Sequence, residues 1–451
     1  MTKVSTKTTI IVGFMLFAMF FGAGNLIFPP ALGLVSGEYF WITVFAFILT
    51  GVGLPILATI VGSLSKSGYK DLLKNIHPAY ALVFMIVLYL VIGPLFAIPR
   101  TATVSYEMSI LPFLDGASQL TLLLFSFVFF LASFIVALYP GKITSSIGKY
   151  LTPILLTVII IFILGGFVAY WGNDYMVIDD LLDGNYFGYG FTEGYLTLDA
   201  IAAMAFSVIV ITSLKKYGVS TQRDLLTSTI KSGTVALILL GTIYVSLAWI
   251  GNNVVLDRTS FEEGTNLGTY VLTFVSGDIF GAFGTVLLGL VVLSACLTTS
   301  IGLIVAVSEY FNEIFPKISY KVFVILTTIV SFGLANQGLE QIIETSLPVL
   351  FFIYPLAISS ILLLLLTFFV KSPKLSIQLS ILFVFLITVV TFIHRQEWVE
   401  LSFVESIPFY AQQLEWLLFA VAGYLIGYFA GDKSNPVDFG EKEPLEEPTN
   451  S

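Results

Sequence analysis

Charged side chains are scarce in this chain. They make up 11% of its 451 residues, against about 25% in a soluble domain, which excludes a water-soluble globule. Apolar residues fill their place, at 57%, with a mean hydropathy of +0.96. Cysteine is almost absent. The one present, Cys296, rules out an intramolecular disulfide and reads as a small packing residue in an apolar run. The two histidines, His77 and His394, both lie in predicted loops. They are too few and too separated for a metal cluster. No set of His, Asp, Glu or Cys converges at one depth, as a membrane-embedded enzyme would need, so no catalytic activity is expected. No ring of charge or repeated filter suggests a channel. No basic patch offers a surface to nucleic acid, and the net charge of −9 comes mostly from outer loops and an acidic tail.

What is present is a series of long apolar runs. A helix crossing the bilayer needs about 20 such residues. Twelve spans are expected, at 8–35, 40–62, 80–100, 120–138, 151–171, 195–214, 233–251, 279–308, 319–335, 342–369, 376–393 and 414–430. The first follows Lys3 and Lys7 as a signal peptide would, but it is too long and runs into Pro29-Pro30 rather than a cleavage site. It is read as a retained span. Of the 20 Lys and Arg residues, only Arg100, Arg258 and Arg395 fall on the side opposite the N-terminus. By the positive-inside rule both termini are then cytoplasmic. The loop Asn173–Glu193, which has no Lys or Arg, lies outside. A transporter domain over 1–432 and a disordered, acidic cytoplasmic tail over 433–451 complete the organisation.

The first span contains Phe21-Gly22-Ala23-Gly24-Asn25-Leu26-Ile27-Phe28-Pro29-Pro30. Glycine and proline are poor residues for a continuous helix. Unwound backbone in hydrocarbon must line a cavity or be buried in protein. Gly22 falls near the bilayer centre, where broken-helix transporters bind their solute. The sixth span reads Leu198-Asp199-Ala200-Ile201-Ala202-Ala203-Met204-Ala205-Phe206. It has small residues near midplane but neither glycine nor proline. Asp199 is either an N-cap for the helix that follows or an ion, proton or gating ligand, the default for an intramembrane carboxylate. Arg100 and Glu107 could pair at the outer end of the third span. The eighth span carries Ala295-Cys296-Leu297-Thr298-Thr299-Ser300. Its hydroxyls either bond back to carbonyls of their own helix or contribute oxygens to a cation cage with carbonyls freed by a neighbouring break.

The segments Phe20–Pro30 and Leu198–Ala202 resemble the branched-chain amino acid:cation symporter family, the bacterial system II carriers for leucine, isoleucine and valine. The resemblance covers essentially the whole chain. It implies an all-α integral membrane protein of twelve transmembrane helices, with a LeuT-like five-plus-five inverted repeat and broken helices 1 and 6. It further implies sodium-coupled import across the bacterial cytoplasmic membrane by alternating access, with Na+ as coupling ion and no other cofactor. A proton-coupled carrier or exchanger of neutral amino acids, using Asp199, is the alternative. Carried over residue by residue, the resemblance implies sodium ligands at Ala18, Phe21, Ala295, Thr298 and Thr299. It places the substrate carboxylate at backbone N–H groups of Gly22, Ala23 and Gly24 beside Asn25. The substrate side chain would lie near Ala203, Met204 and Phe206.

Overall fold

The computed structural model describes residues 5–65, 67–114, 116, 118–139, 142–175, 184–219, 221–256, 266–434 and 436–437, with 142–152 as backbone alone. Among the described residues the architecture is all-helical, apart from one isolated bridge between Pro373 and Pro436. The first half contains α1 (Thr6–Phe20), α2 (Ala23–Ser36), α3 (Phe40–Ile48), α4 (Leu54–Gly62), α5 (Tyr69–Leu72), α6 (Pro78–Leu90), α7 (Ala97–Ser109), α8 (Gln119–Ala137) and α9 (Lys142–Tyr170). The second half contains α10 (Tyr186–Leu196), α11 (Asp199–Lys216), α12 (Gln222–Asn253), α13 (Leu267–Ile314), α14 (Tyr320–Ala335), α15 (Leu339–Phe369), α16 (Lys374–Arg395) and α17 (Trp416–Ala430).

Eight helical stretches among the described residues are long and apolar enough to cross a membrane. The pair α10 and α11, bent by 41°, makes up to nine if taken as one span. α1, α14 and α17 are shorter apolar helices. The chain is therefore a multi-pass membrane protein. Large apolar side chains such as Trp41, Val168 and Phe283 are exposed on the outer faces of the bundle, as contact with lipid requires.

Local chemistry starts the helices where the chain has the right residues. Ser5 accepts the Thr8 N–H at 3.1 Å, Thr221 accepts that of Asp224 at 3.1 Å, and Asn266 accepts that of Thr269 at 3.1 Å. These are N-cap bonds to otherwise orphaned donors. Small residues then bring the helices together. A β-carbon placed on Gly268 would lie 2.0 Å from the Ile27 carbonyl oxygen, and one on Gly251 would lie 2.0 Å from that of Pro30. Glycine at these positions lets α2 pack backbone to backbone against α12 and α13. α2 is thus held in the middle of the protein, where its N-terminal end meets the other interrupted segment.

Several expected boundaries move. The run 173–193 is not all loop, because α10 starts at Tyr186; residues 176–183 lie outside the described residues. The helix expected over 279–308 extends from Leu267 to Ile314 and turns at Gly281, whose φ is 62°. The start of the tail packs: the Val437 N–H donates to the Ser372 carbonyl at 3.1 Å. The rest of the tail, 438–451, lies outside the described residues.

Candidate functional site

Two helix interruptions face each other in the protein interior. α1 ends at Phe20, Phe21 and Gly22 are extended, and α2 begins at Ala23. The Gly22 N–H donates to Asn25 Oδ1 at 3.0 Å, so Asn25 caps its own helix. Pro29 and Pro30 do not belong to the break; they lie within α2. Having no N–H, they cannot bond the carbonyls of Asn25 and Leu26 four residues back. The second interruption is at Thr197 and Leu198, not in the small-residue run Ala203–Phe206. Leu198 is left-handed, with φ at 64°, a conformation that costs a leucine energy and persists only where the surroundings enforce it.

Side chains tie the two interruptions together. Asn25 Nδ2 donates to Asp199 Oδ2 and to the Tyr244 hydroxyl oxygen. The Tyr244 hydroxyl in turn donates to Asp199 Oδ2 at 3.3 Å. From α7, Arg100 Nη1 donates to the Leu196 carbonyl at the end of α10. Its guanidinium lies 5.2 Å from the centre of the Phe28 ring on α2. Asn25, Arg100, Asp199 and Tyr244 are all buried. A carboxylate and a guanidinium placed in one low-dielectric interior offset part of each other's desolvation cost, and neither is tolerable there alone.

This geometry corrects two readings. Asp199 is not an N-cap. Leu198 holds that position and makes no side-chain cap bond, while the Asp199 carboxylate reaches across to α2 and α12. Arg100 does not pair with Glu107. Glu107 Oε2 instead accepts the Thr269 hydroxyl at 2.6 Å. Arg100 is therefore an interior residue and carries no weight as an outer-loop charge. Arg100 and Tyr244 were not foreseen as site residues. A charge within an apolar run could have marked Arg100. Nothing local marks Tyr244.

Beside the first break, Ala18, Phe21, Ala295, Thr298 and Thr299 line one cavity of about 30 Å³ together with Phe17, Leu155 and Val291. A water-sized occupant needs about 10–15 Å³, so an ion or one or two waters would fit. The Thr298 and Thr299 hydroxyls donate to the Ala295 carbonyl at 2.8 and 3.0 Å. Each hydroxyl oxygen still has lone pairs, so back-bonding to Ala295 does not by itself exclude a further contact. Ala203 and Met204 are buried on α11, and Phe206 is half-buried there. None of the three lines this cavity. Gly22 has already committed its N–H to Asn25, which leaves the N–H groups of Ala23, Gly24 and Asn25 as the first-turn donors of α2 without an intrahelical acceptor.

Solved structures share the fold. A transporter of the nucleobase-cation-symport-1 family, Mhp1 in a closed conformation with bromovinylhydantoin bound, superposes with a TM-score of 0.59 at 13% identity, over 94% of this chain and 91% of that one. MhsT in complex with L-phenylalanine gives 0.56 at 16% identity, over 93% and 98%. Sequence relatives are much nearer. A Staphylococcus saprophyticus protein named as a branched-chain amino acid carrier is 46% identical over 446 residues, 97% of this chain and all of that one. A Staphylococcus haemolyticus protein of the same name is 48% identical over 430 residues, 94% and 96%. The model of one family, described as branched-chain amino acid transport protein, matches residues 5–434. With that match across nearly its whole length, the chain belongs to the branched-chain amino acid transport protein family.

Proposed function

We propose that this protein is a sodium-coupled symporter importing leucine, isoleucine and valine across the bacterial cytoplasmic membrane. In this reading the chain has twelve spans and cytoplasmic termini. α1–α2 and α10–α11 are the broken first and sixth spans of a five-plus-five inverted repeat that alternates access around the breaks. The observation that carries it is the small cavity beside Phe21, in which Ala18, Phe21, Ala295, Thr298 and Thr299 meet. An ion there would hold α1 against α13 and so favour the conformation that receives the solute. The sequence relatives' names support the cargo class.

The direct test is radiolabelled leucine uptake into proteoliposomes under an inward sodium gradient or a proton gradient, each alone. Accumulation driven by sodium supports the reading. Thr298→Ala and Thr299→Ala should each raise the sodium concentration for half-maximal uptake by about tenfold, as loss of one ligating group implies, and leave the ranking of leucine, isoleucine and valine unchanged. Uptake that stays equally sodium-sensitive in both variants places the ion elsewhere.

One observation favours a proton-coupled carrier or neutral amino acid exchanger instead: Asp199 is buried at the second break and bonded to groups from two other helices. Accumulation driven only by protons, with a pH dependence lost in Asp199→Asn, would select that alternative.

A further inference from the structure

We propose that Arg100 is the anchor for the substrate's α-carboxylate and the residue by which the site selects an amino acid over the corresponding amide or amine. The proposal rests on the reading above that an amino acid occupies the breaks. It adds a recognition residue from α7.

Four observations lead to it. Arg100 is 5% exposed, yet among the described residues it forms no ion pair. The acceptor its guanidinium reaches there is the Leu196 carbonyl, through Nη1. A guanidinium has five N–H donors in a planar fork, so most of its hydrogen-bonding capacity is unspent. Asp199 is the nearby countercharge but forms no ion pair with Arg100; its Oδ2 accepts from Asn25 and Tyr244 instead, which leaves the guanidinium's donors open. The second terminal nitrogen, Nη2, points at the first turn of α2. A β-carbon on Gly24 would lie 2.8 Å from Nη2 and 3.0 Å from Cζ. Any side chain at position 24 would crowd the guanidinium together with the Phe28 ring, whose Cε2 would lie 2.9 Å away. Finally, that turn contains no acidic residue, so the partial positive charge of the helix N-terminus is unneutralised from within.

The result is a guanidinium and the start of a helix in contact at one of the two breaks, with the Asp199 carboxylate bonded to that turn through the Asn25 side chain and not through its backbone donors. A carboxylate is the group that fits both. One oxygen can accept from the Ala23 and Gly24 N–H groups, and the other from Nη2 of Arg100, in the charge-assisted geometry for which arginine is suited. The Phe28 ring under the guanidinium holds its plane in place. Backbone N–H groups alone would accept an amide oxygen about as readily as a carboxylate. The formal charge of Arg100 distinguishes the two.

The test compares leucine with leucinamide, which keeps the side chain and amine and has no carboxylate. Affinities are measured on the purified full-length protein by competition against radiolabelled leucine and by ligand-induced thermal stabilisation. Wild type should prefer leucine strongly. Arg100→Gln should weaken leucine by about 10- to 100-fold, the worth of a hydrogen bond to a charged group, and leave leucinamide unchanged, so the preference collapses. Arg100→Lys, which retains the charge but loses the fork, should fall in between. Gly24→Ala, which displaces the guanidinium by crowding Nη2, should produce the same selective loss and carries the test if Arg100→Gln does not fold. Equal weakening of both ligands would mean that Arg100 only braces α10, and unchanged leucine affinity would also overturn the proposal. If wild-type protein transports no amino acid at all, it is the underlying reading that fails.

Discussion

Asp199→Ala should lower the initial rate of leucine uptake by at least ~100-fold at equal reconstituted protein. The carboxylate is the common acceptor for Asn25 on α2 and Tyr244 on α12, so its loss unties the two breaks. It also leaves the Arg100 guanidinium buried without its nearby countercharge. Removing one member of a buried charged set typically costs about 3–5 kcal/mol, and each 1.4 kcal/mol is about a factor of ten. Tyr244→Phe removes the hydroxyl's two hydrogen bonds, one accepted from Asn25 and one donated to Asp199, and leaves the charges in place, so its effect should be about tenfold. Asp199→Asn can still accept from Asn25 or Tyr244 and should fall between them. The order Ala, Asn, then Tyr244→Phe is the discriminating result. An Asp199→Ala variant that transports within a few-fold of wild type would show that the network is not needed for the transport cycle.

The second large effect is on folding. At Gly33, a β-carbon would sit 1.8 Å from the Ala248 carbonyl oxygen. On the facing helix, a β-carbon at Gly251 would sit 2.0 Å from the Pro30 carbonyl oxygen. Both obstacles are backbone atoms, which cannot rotate aside as a side chain can. Gly33→Ala must therefore separate α2 from α12. Overpacking usually costs about 1–3 kcal/mol; with backbone on the other side the cost belongs at the upper end. The purified variant should lose about 3 °C in Tm. Uptake should fall as well, because the same displacement moves Asn25 away from Tyr244. Gly251→Ala should behave alike. The double variant should lose less than the sum of the two, since separating the helices once relieves both clashes. Full additivity, or an unchanged Tm, would show that the two helices do not rest on each other here.

The first break was legible because its cause is local. Gly22 is a poor helix residue and its N–H donates to Asn25 Oδ1 three residues on, so both elements sit within one short segment. The second break was misplaced for the opposite reason. Thr197 and Leu198 are not helix breakers, and neither glycine nor proline marks the position. There the helix ends through contacts from elsewhere: Arg100 takes the Leu196 carbonyl, and Asp199 is drawn toward α2 and α12. The cavity beside the first break lies between these cases. Its residues came from resemblance, and their meeting in one cavity depends on how the end of α1 lies beside α13 and α9 in the fold.

By itself the sequence determined membrane residence, the helical class, the family and the position of the first break. The first two and the break follow from composition, from the length of apolar runs and from the poor helix propensity of glycine, all of which act over a few residues; the family follows from the resemblance of Phe20–Pro30 and Leu198–Ala202. Only the tertiary structure decided what Asp199 and Arg100 do. Asp199 meets a partner 174 residues away in Asn25 and another 45 residues away in Tyr244. No periodicity within a helix encodes such meetings. They arise because small residues let α2 settle between α12 and α13, and because a buried charge must find its partner wherever the packing has left one.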